Sequence, residues 1–360
     1  MIAPAEEVVT AALQDPRSLP SWSLPRWEEL VRQARRADLL ARLAATLDDT
    51  GLLHRVPDAP RAHLEAAGVL ARAQEQAVRR EVGCILQALA PVDIDVVLLK
   101  GAAYLIAGLP AARGRLFSDV DMLVPKDLLP QVEAALMLGG WATTHHNAYD
   151  QRYYRQWMHE LPPMRHATRL TVLDVHHAIL PQTARSTPDS GKLLGAAVTV
   201  PGWPRLRVLA PADMVLHSAA HLFYNEEFSH GLRDLVDLDC LLRHFMQHAG
   251  FWDALAARAT ELKLTRPLYY ALRYASRMLG TPLPQAVAAG RIGEPVALRG
   301  LMDALFTRAL RPDHPSAADA LSAMARRMLY VRGHWLRMPP HLLAWHLTVK
   351  AFRRETQDRE

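Results

Sequence analysis

The chain has 360 residues, half of them apolar and 22% charged, which is enough for two or three domains with substantial cores and excludes a disordered, collagenous or linker-like chain. Lysine plus arginine number 42 against 37 aspartate plus glutamate, a net charge of +5. That surplus suits phosphate-bearing ligands and is too small to mark a nucleic-acid surface, so no specific nucleic acid is expected.

Acidic Glu6 and Glu7 stand where a signal peptide would carry basic residues, and no apolar run reaches the roughly 18 residues of a membrane span. Cys84 and Cys240 are far apart and have no metal-type spacing with histidine, which argues against a disulfide framework or structural zinc and for a cytoplasmic location. From Val8 to about Leu89, apolar residues recur at three and four, as in Trp27, Leu30, Val31 and Ala34. This predicts three or four amphipathic helices, broken near Pro16 to Pro25 and Pro57 to Pro60.

The texture then changes. Val96-Val97-Leu98-Leu99, closed by Lys100-Gly101, and Val120-Asp121-Met122-Leu123-Val124, closed by Pro125, read as strands of a buried sheet. A helix over Asp127 to Leu138 follows, stopped by Gly139-Gly140 where a C-terminal cap wants positive φ. Leu170 to His176 is a third strand pattern. Residues 181–212 are rich in Pro, Gly, Ser and Thr, with a hairpin expected over Ala197 to Leu209. From Asp213, a candidate helix cap, to about Lys350 the pattern is again helical. The fold class expected is α+β, a small mixed sheet flanked by helices. Its segments are 1–90 helical, 91–210 the α/β core and 211–360 helical.

Three Asp-x-Asp triplets occur, about two more than chance. Asp237-Leu238-Asp239 lies in a helical pattern, where i and i+2 diverge by about 200° and cannot share an ion. Asp93-Ile94-Asp95 and Asp119-Val120-Asp121 adjoin strands, where i and i+2 share a face about 6.6 to 7 Å apart. If the strand ending at Leu99 runs antiparallel to the one beginning at Asp119, only Asp119 and Asp121 face the Lys100-Gly101-Ala102 turn. There, free N–H groups and the lysine ammonium would receive a phosphate, with Arg115 as a second phosphate contact. Asp174 completes the set if its strand neighbours the second. Three carboxylates can hold two Mg²⁺ ions that orient a triphosphate, with Asp174 as general base or as a ligand of the catalytic ion. His176 shares a strand face with Asp174 and would orient it. The competing reading of these acids is as solvated strand ends beside an ordinary turn.

Leu99-Lys100-Gly101, Tyr104, Arg115, Ser118-Asp119-Val120-Asp121-Met122-Leu123-Val124, Leu173-Asp174-Val175-His176 and Pro211-Ala212-Asp213 with His217, in this order, resemble the uncharacterised nucleotidyltransferase family of the DNA polymerase β-like superfamily. The resemblance implies a nucleotidyltransferase core that moves a nucleoside monophosphate from an NTP to an acceptor, using Mg²⁺ or Mn²⁺. It puts Asp119, Asp121 and Asp174 on the metals, and Lys100, Gly101, Ala102, Arg115 and Ser118 at the nucleotide phosphates. Gly101-Ala102 stands where the superfamily usually has Gly-Ser or Gly-Gly, and His177 where an aromatic often follows. A catalytically inactive binding or scaffold protein of the same fold is the alternative.

His217 and His221, at i and i+4, share a helix face. An acceptor-facing or structural role is expected for His217, with a metal hydrolase centred on the pair as a third reading. Arg233 and Asp237 are spaced for a solvated ion pair. Seven Lys or Arg and no acid lie between Arg326 and Arg354, interleaved with Tyr330, Trp335, Trp345 and Phe352. The expectation is a helical tail that packs its aromatics on the core, with peripheral membrane contact as the other reading.

Overall fold

A computed structural model describes residues 7–144, 154, 157–225, 227–288 and 298–339. The N-terminal periodicity resolves into four α-helices, Val8–Gln14, Leu24–Arg36, Leu40–Asp49 and Asp58–Leu89. Pro25 falls in the first turn of its helix, where the missing N–H leaves no bond unmade. In the long fourth helix, Leu64, Ala71, Val78, Val82, Ile85 and Leu89 are buried, a stripe at helical spacing.

Seven strands follow among the described residues: β1 Val96–Leu99, β2 Asp119–Leu123, β3 Trp141–Thr143, β4 Met164–His166, β5 Val172–His176, β6 Val198–Val200 and β7 Trp203–Val208. They form one mixed sheet in the order β3-β4-β5-β2-β1-β7-β6. β1 is antiparallel to β2 and parallel to β7, and β2 is parallel to β5. The expected hairpin is β6–β7, with Gly202 at φ +80° in its turn. Its β7 arm belongs to the central sheet and lies against β1. The two unforeseen strands, β3 and β4, are three residues long, too short for an alternation to register. The helix Leu129–Leu138 ends at the expected glycines, and the positive φ, +97°, falls on Gly140.

The main C-terminal helices are Pro211–Tyr224, Gly231–Phe245, Phe251–Glu261, Thr265–Leu279, Arg299–Ala309 and Ser322–Arg337. Two local expectations are corrected here. Asp213 does not cap its helix: it is inside the first turn, buried, and both carboxylate oxygens accept from Arg258, at 2.6 and 2.8 Å. Arg233 does not pair with Asp237; it meets Asp234 at 3.0 Å and Asp38 at 3.6 Å. One cluster of buried apolar side chains runs from Val8 to Leu336, so both helical segments share a core with the sheet.

In the helix Ser322–Arg337, Leu329 and Leu336 are buried but Tyr330 and Trp335 are exposed. The expected packing of these two aromatics on the core is therefore not what the helix does; Trp335 instead carries the Arg185 guanidinium over its ring. Trp345 and Phe352 lie outside the described residues. Among the described residues no helix is long and apolar enough to cross a membrane.

Candidate active site

The sheet register brings the sequence candidates together. Leu99, the last residue of β1, sits opposite Asp121, so the Lys100 turn begins beside that carboxylate. On the other side of β2, Asp121 is paired with Asp174 and Leu123 with His176. Alternate residues share a face, so Asp119, Asp121, Asp174 and His176 all point to one side of the sheet. Asp93 and Asp95, at the far end of β1, are paired with Arg205 and Arg207.

Asp121 is the electrostatic centre of this face. It is buried, and one oxygen accepts from both Lys100 Nζ at 2.7 Å and His176 Nε2 at 2.9 Å. Burial alone would raise its pKa, but the lysine and histidine hold the carboxyl well below the usual range. Its neighbours are shifted the other way. Burial, then the charge of Asp121, raises Asp119, whose Oδ1 accepts from Ser118 Oγ at 3.0 Å. Burial, then Asp121 and Glu160, pushes Asp174 up to about 7, and its Oδ1 is buried without a hydrogen-bond partner. Crowded carboxylates that resist ionisation, one with an orphaned oxygen, fit a divalent cation.

The raised pKa makes a prediction. In protein stripped of divalent cations, the folded state keeps a proton on Asp174 between the ordinary carboxylate value of about 3.9 and about 7. Stability therefore falls as pH rises through that window. Asp174→Asn should flatten this part of the profile and leave the variant more stable than wild type at pH 8 in EDTA, by on the order of 1 kcal/mol after solvent screening. Superimposable unfolding curves across pH 4 to 8 would remove the basis for this.

The turn itself differs from expectation. Lys100 carries the positive φ, +47°, a costly conformation for a residue with a Cβ and one that concentrates at functional sites. Gly101 is needed for a different reason: a Cβ there would lie 2.2 Å from Arg115 Nη1 and 2.7 Å from its Cζ. Arg115, expected at a phosphate, is turned inward. Its Nε donates to Asp237 at 2.8 Å and its Nη1 to the Leu116 carbonyl at 3.1 Å, so it braces the turn from behind. Gly101→Ala is expected to destabilise the fold by about 1–3 kcal/mol, the range for overpacking a filled site. Wild-type unfolding in urea by that variant would show that the guanidinium gives way freely.

A cavity of about 200 Å³ opens in front of this face, with Lys100, Glu160, Asp174, His176, His221 and Tyr224 among its walls. The helix Pro211–Tyr224 forms one wall. On it His217 is buried, and burial, then Lys100 and His221, lowers its pKa, leaving a neutral imidazole. His221 Nδ1 lies 3.7 Å from Asp234. Among the described residues, His217 and His221 form no cluster of three potential metal ligands within 4.8 Å, and neither do the three aspartates; His159, Glu160 and His176 do. His159 and Glu160 escaped the sequence reading because no pattern marks them. They are fastened to β5 by the Glu160–His176 bridge and by the bond from His177 N to His159 O, at 2.8 Å.

A family model described as uncharacterised nucleotidyltransferase matches residues 23–280. No curated protein and no solved structure matched the chain. Because the matched span takes in the whole sheet, the cavity-lining helix Pro211–Tyr224 and well over half of the sequence, the protein belongs to the uncharacterised nucleotidyltransferase family.

Proposed function

We propose that the protein transfers a nucleoside monophosphate from an NTP to an acceptor hydroxyl of a small molecule, sugar or protein, in the cytoplasm: the acceptor oxygen bonds to the α-phosphorus, the bond to the β-phosphate oxygen breaks, and pyrophosphate leaves. The observation that carries this reading is the pairing of Asp121 with Asp174 across β2 and β5, beside the Lys100 turn and in front of a cavity. Asp119, Asp121 and Asp174 would hold Mg²⁺ or Mn²⁺, which neutralises the triphosphate and acidifies the attacking hydroxyl.

The chain's own groups do the rest. Lys100 leaves Asp121 for a phosphate oxygen when nucleotide enters, keeping its charge beside a developing anion. Ser118 and the turn at Gly101 and Ala102 are assigned to the phosphates, with Arg115 holding that turn in shape. Asp174 takes the acceptor proton or completes the ligand set. His176, donating Nε2–H to Asp121, fixes that carboxylate; His217, expected on the acceptor side, is buried and does not line the cavity, so the acceptor-side contact falls to His221, one helical turn on.

A second reading rests on the same Lys100–Asp121 contact: if the ammonium never leaves, the fold binds without catalysing, and the exposed Tyr330 and Trp335 would serve attachment to an anionic membrane. The two separate on one experiment. Purified protein is incubated with NTPs labelled at the α-phosphate, with Mg²⁺ or EDTA and a cell-extract acceptor pool. Transfer of label that needs Mg²⁺ and is lost in Asp119→Asn is expected. Mg²⁺-dependent NTP binding that persists unchanged in Asp119→Asn would refute the assigned site.

A further inference from the structure

The second cluster on this face has its own chemistry. The Asp121 carboxylate can only accept, so His176 must present Nε2–H to it at 2.9 Å. In the neutral ring that leaves a lone pair on Nδ1. This atom is buried, has no hydrogen-bond partner, and lies 3.3 Å from Glu160 Oε2, another acceptor. His159 Nδ1 is also buried without a partner. One ligand atom each from His159, Glu160 and His176 lie within 4.8 Å of one another. Lone pairs converging in a protein interior need a proton or a cation between them.

We infer that His159, Glu160 and His176 form a binding site for a transition-metal cation of the Zn²⁺ class, separate from the aspartate site. Two imidazoles and a carboxylate are the donors of such ions, whereas Mg²⁺ prefers oxygen. The 3.3 Å between His176 Nδ1 and Glu160 Oε2 is about the edge of a tetrahedron with bonds near 2.0–2.1 Å. Asp121 supplies the carboxylate that orients a metal-binding histidine through its other ring nitrogen. Glu160 and His176 also line the cavity, which leaves a side from which water or an anionic ligand can complete the coordination. His176 thereby joins the two sites, touching Asp121 with one nitrogen and the cation with the other. The inference goes beyond nucleotide transfer and does not depend on it.

The test is metal binding by the untagged full-length chain, stripped with chelator and titrated with Co²⁺ as a spectroscopic probe and with Zn²⁺ by calorimetry. The expected result is one Co²⁺ per chain with the intense visible absorption of four- or five-coordinate cobalt, displaced by equimolar Zn²⁺ and not by millimolar Mg²⁺. His159→Ala should weaken binding by more than the roughly 10- to 100-fold that loss of an outer-shell partner costs. Asp119→Asn, which disables the proposed transfer site, should leave the cobalt spectrum unchanged. If His159→Ala fails to fold, Glu160→Gln, nearly isosteric, should show the same loss with an unchanged circular dichroism spectrum. Absence of the cobalt band, displacement by Mg²⁺, or wild-type affinity in the folded ligand variant would overturn the assignment.

Discussion

Asp119→Asn and Asp121→Asn are expected to differ in stability while both sharply lower the proposed transfer. In the proposed reaction, metal coordination of the triphosphate would supply several kcal/mol to the transition state. Losing about 4 kcal/mol of it lowers the rate roughly 10³-fold, and that is the drop expected in either variant. Folding separates them. Asp119 has its pKa raised by burial and by Asp121, so removing its charge should leave stability unchanged or slightly improved. Asp121 is 3% exposed and neutralises the Lys100 ammonium, whose side chain is 22% exposed. Asparagine there leaves a largely buried cation without its partner, which should cost about 3 kcal/mol, the lower end for a broken buried pair because lysine keeps some access to water.

Adding Lys100→Met to Asp121→Asn should recover most of that loss, as a double-mutant cycle in urea would report. The acid side of the stability profile carries the same sign. Asp121 is depressed, so its contribution is present above the ordinary carboxylate range and disappears as pH falls below it. Equal stability of the two single variants would mean that the Lys100–Asp121 contact contributes nothing.

The aspartates were readable from sequence because strand spacing fixes which residues share a face, and one register then decides the rest. Once Leu99 is opposite Asp121, Asp93 and Asp95 are necessarily at the wrong end of β1. What sequence could not give are contacts between parts of the chain that no local period connects. Arg115 looked like a phosphate ligand because it precedes Asp119 by four residues, yet its partner, Asp237, is 122 positions further on. Asp213 looked like a cap because aspartate often starts helices, but Arg258 holds it in the interior. His159 and Glu160 are ordinary residues until backbone pairing to β5 lays them beside His176. For Arg115 and Asp213 the neighbours in sequence suggested one role, and a distant charge won because burial makes pairing compulsory.

The largest loss of stability should come from Asp237→Ala, far from any chemistry. Asp237, in the helix Gly231–Phe245, is 4% exposed and lies between two arginines that are almost as buried, Arg42 at 7% and Arg115 at 8%. Arg115 Nε donates to Asp237 Oδ2 at 2.8 Å, and Arg42 Nη2 is 3.7 Å from Oδ1. Arg42 also donates to the carbonyls of Pro110 and Ala111, which ties the helix Leu40–Asp49 to the connection between β1 and β2. Gly114, at φ +65°, lets that connection approach, since a Cβ there would lie 2.5 Å from the Ala41 carbonyl oxygen. One carboxylate thus holds together an N-terminal helix, the turn behind Gly101 and a C-terminal helix. Its removal strands two guanidinium groups that cannot lose their protons, and should cost about 3–5 kcal/mol. Because Arg115 also supports Gly101, the proposed nucleotide binding should weaken with stability, whereas removing the half-exposed Arg113–Asp49 pair should change stability by under about 1 kcal/mol. Urea unfolding of Asp237→Ala beside Asp49→Ala measures the contrast. A loss below about 1 kcal/mol in Asp237→Ala would mean that water reaches both arginines and that the turn behind Gly101 is held by other contacts.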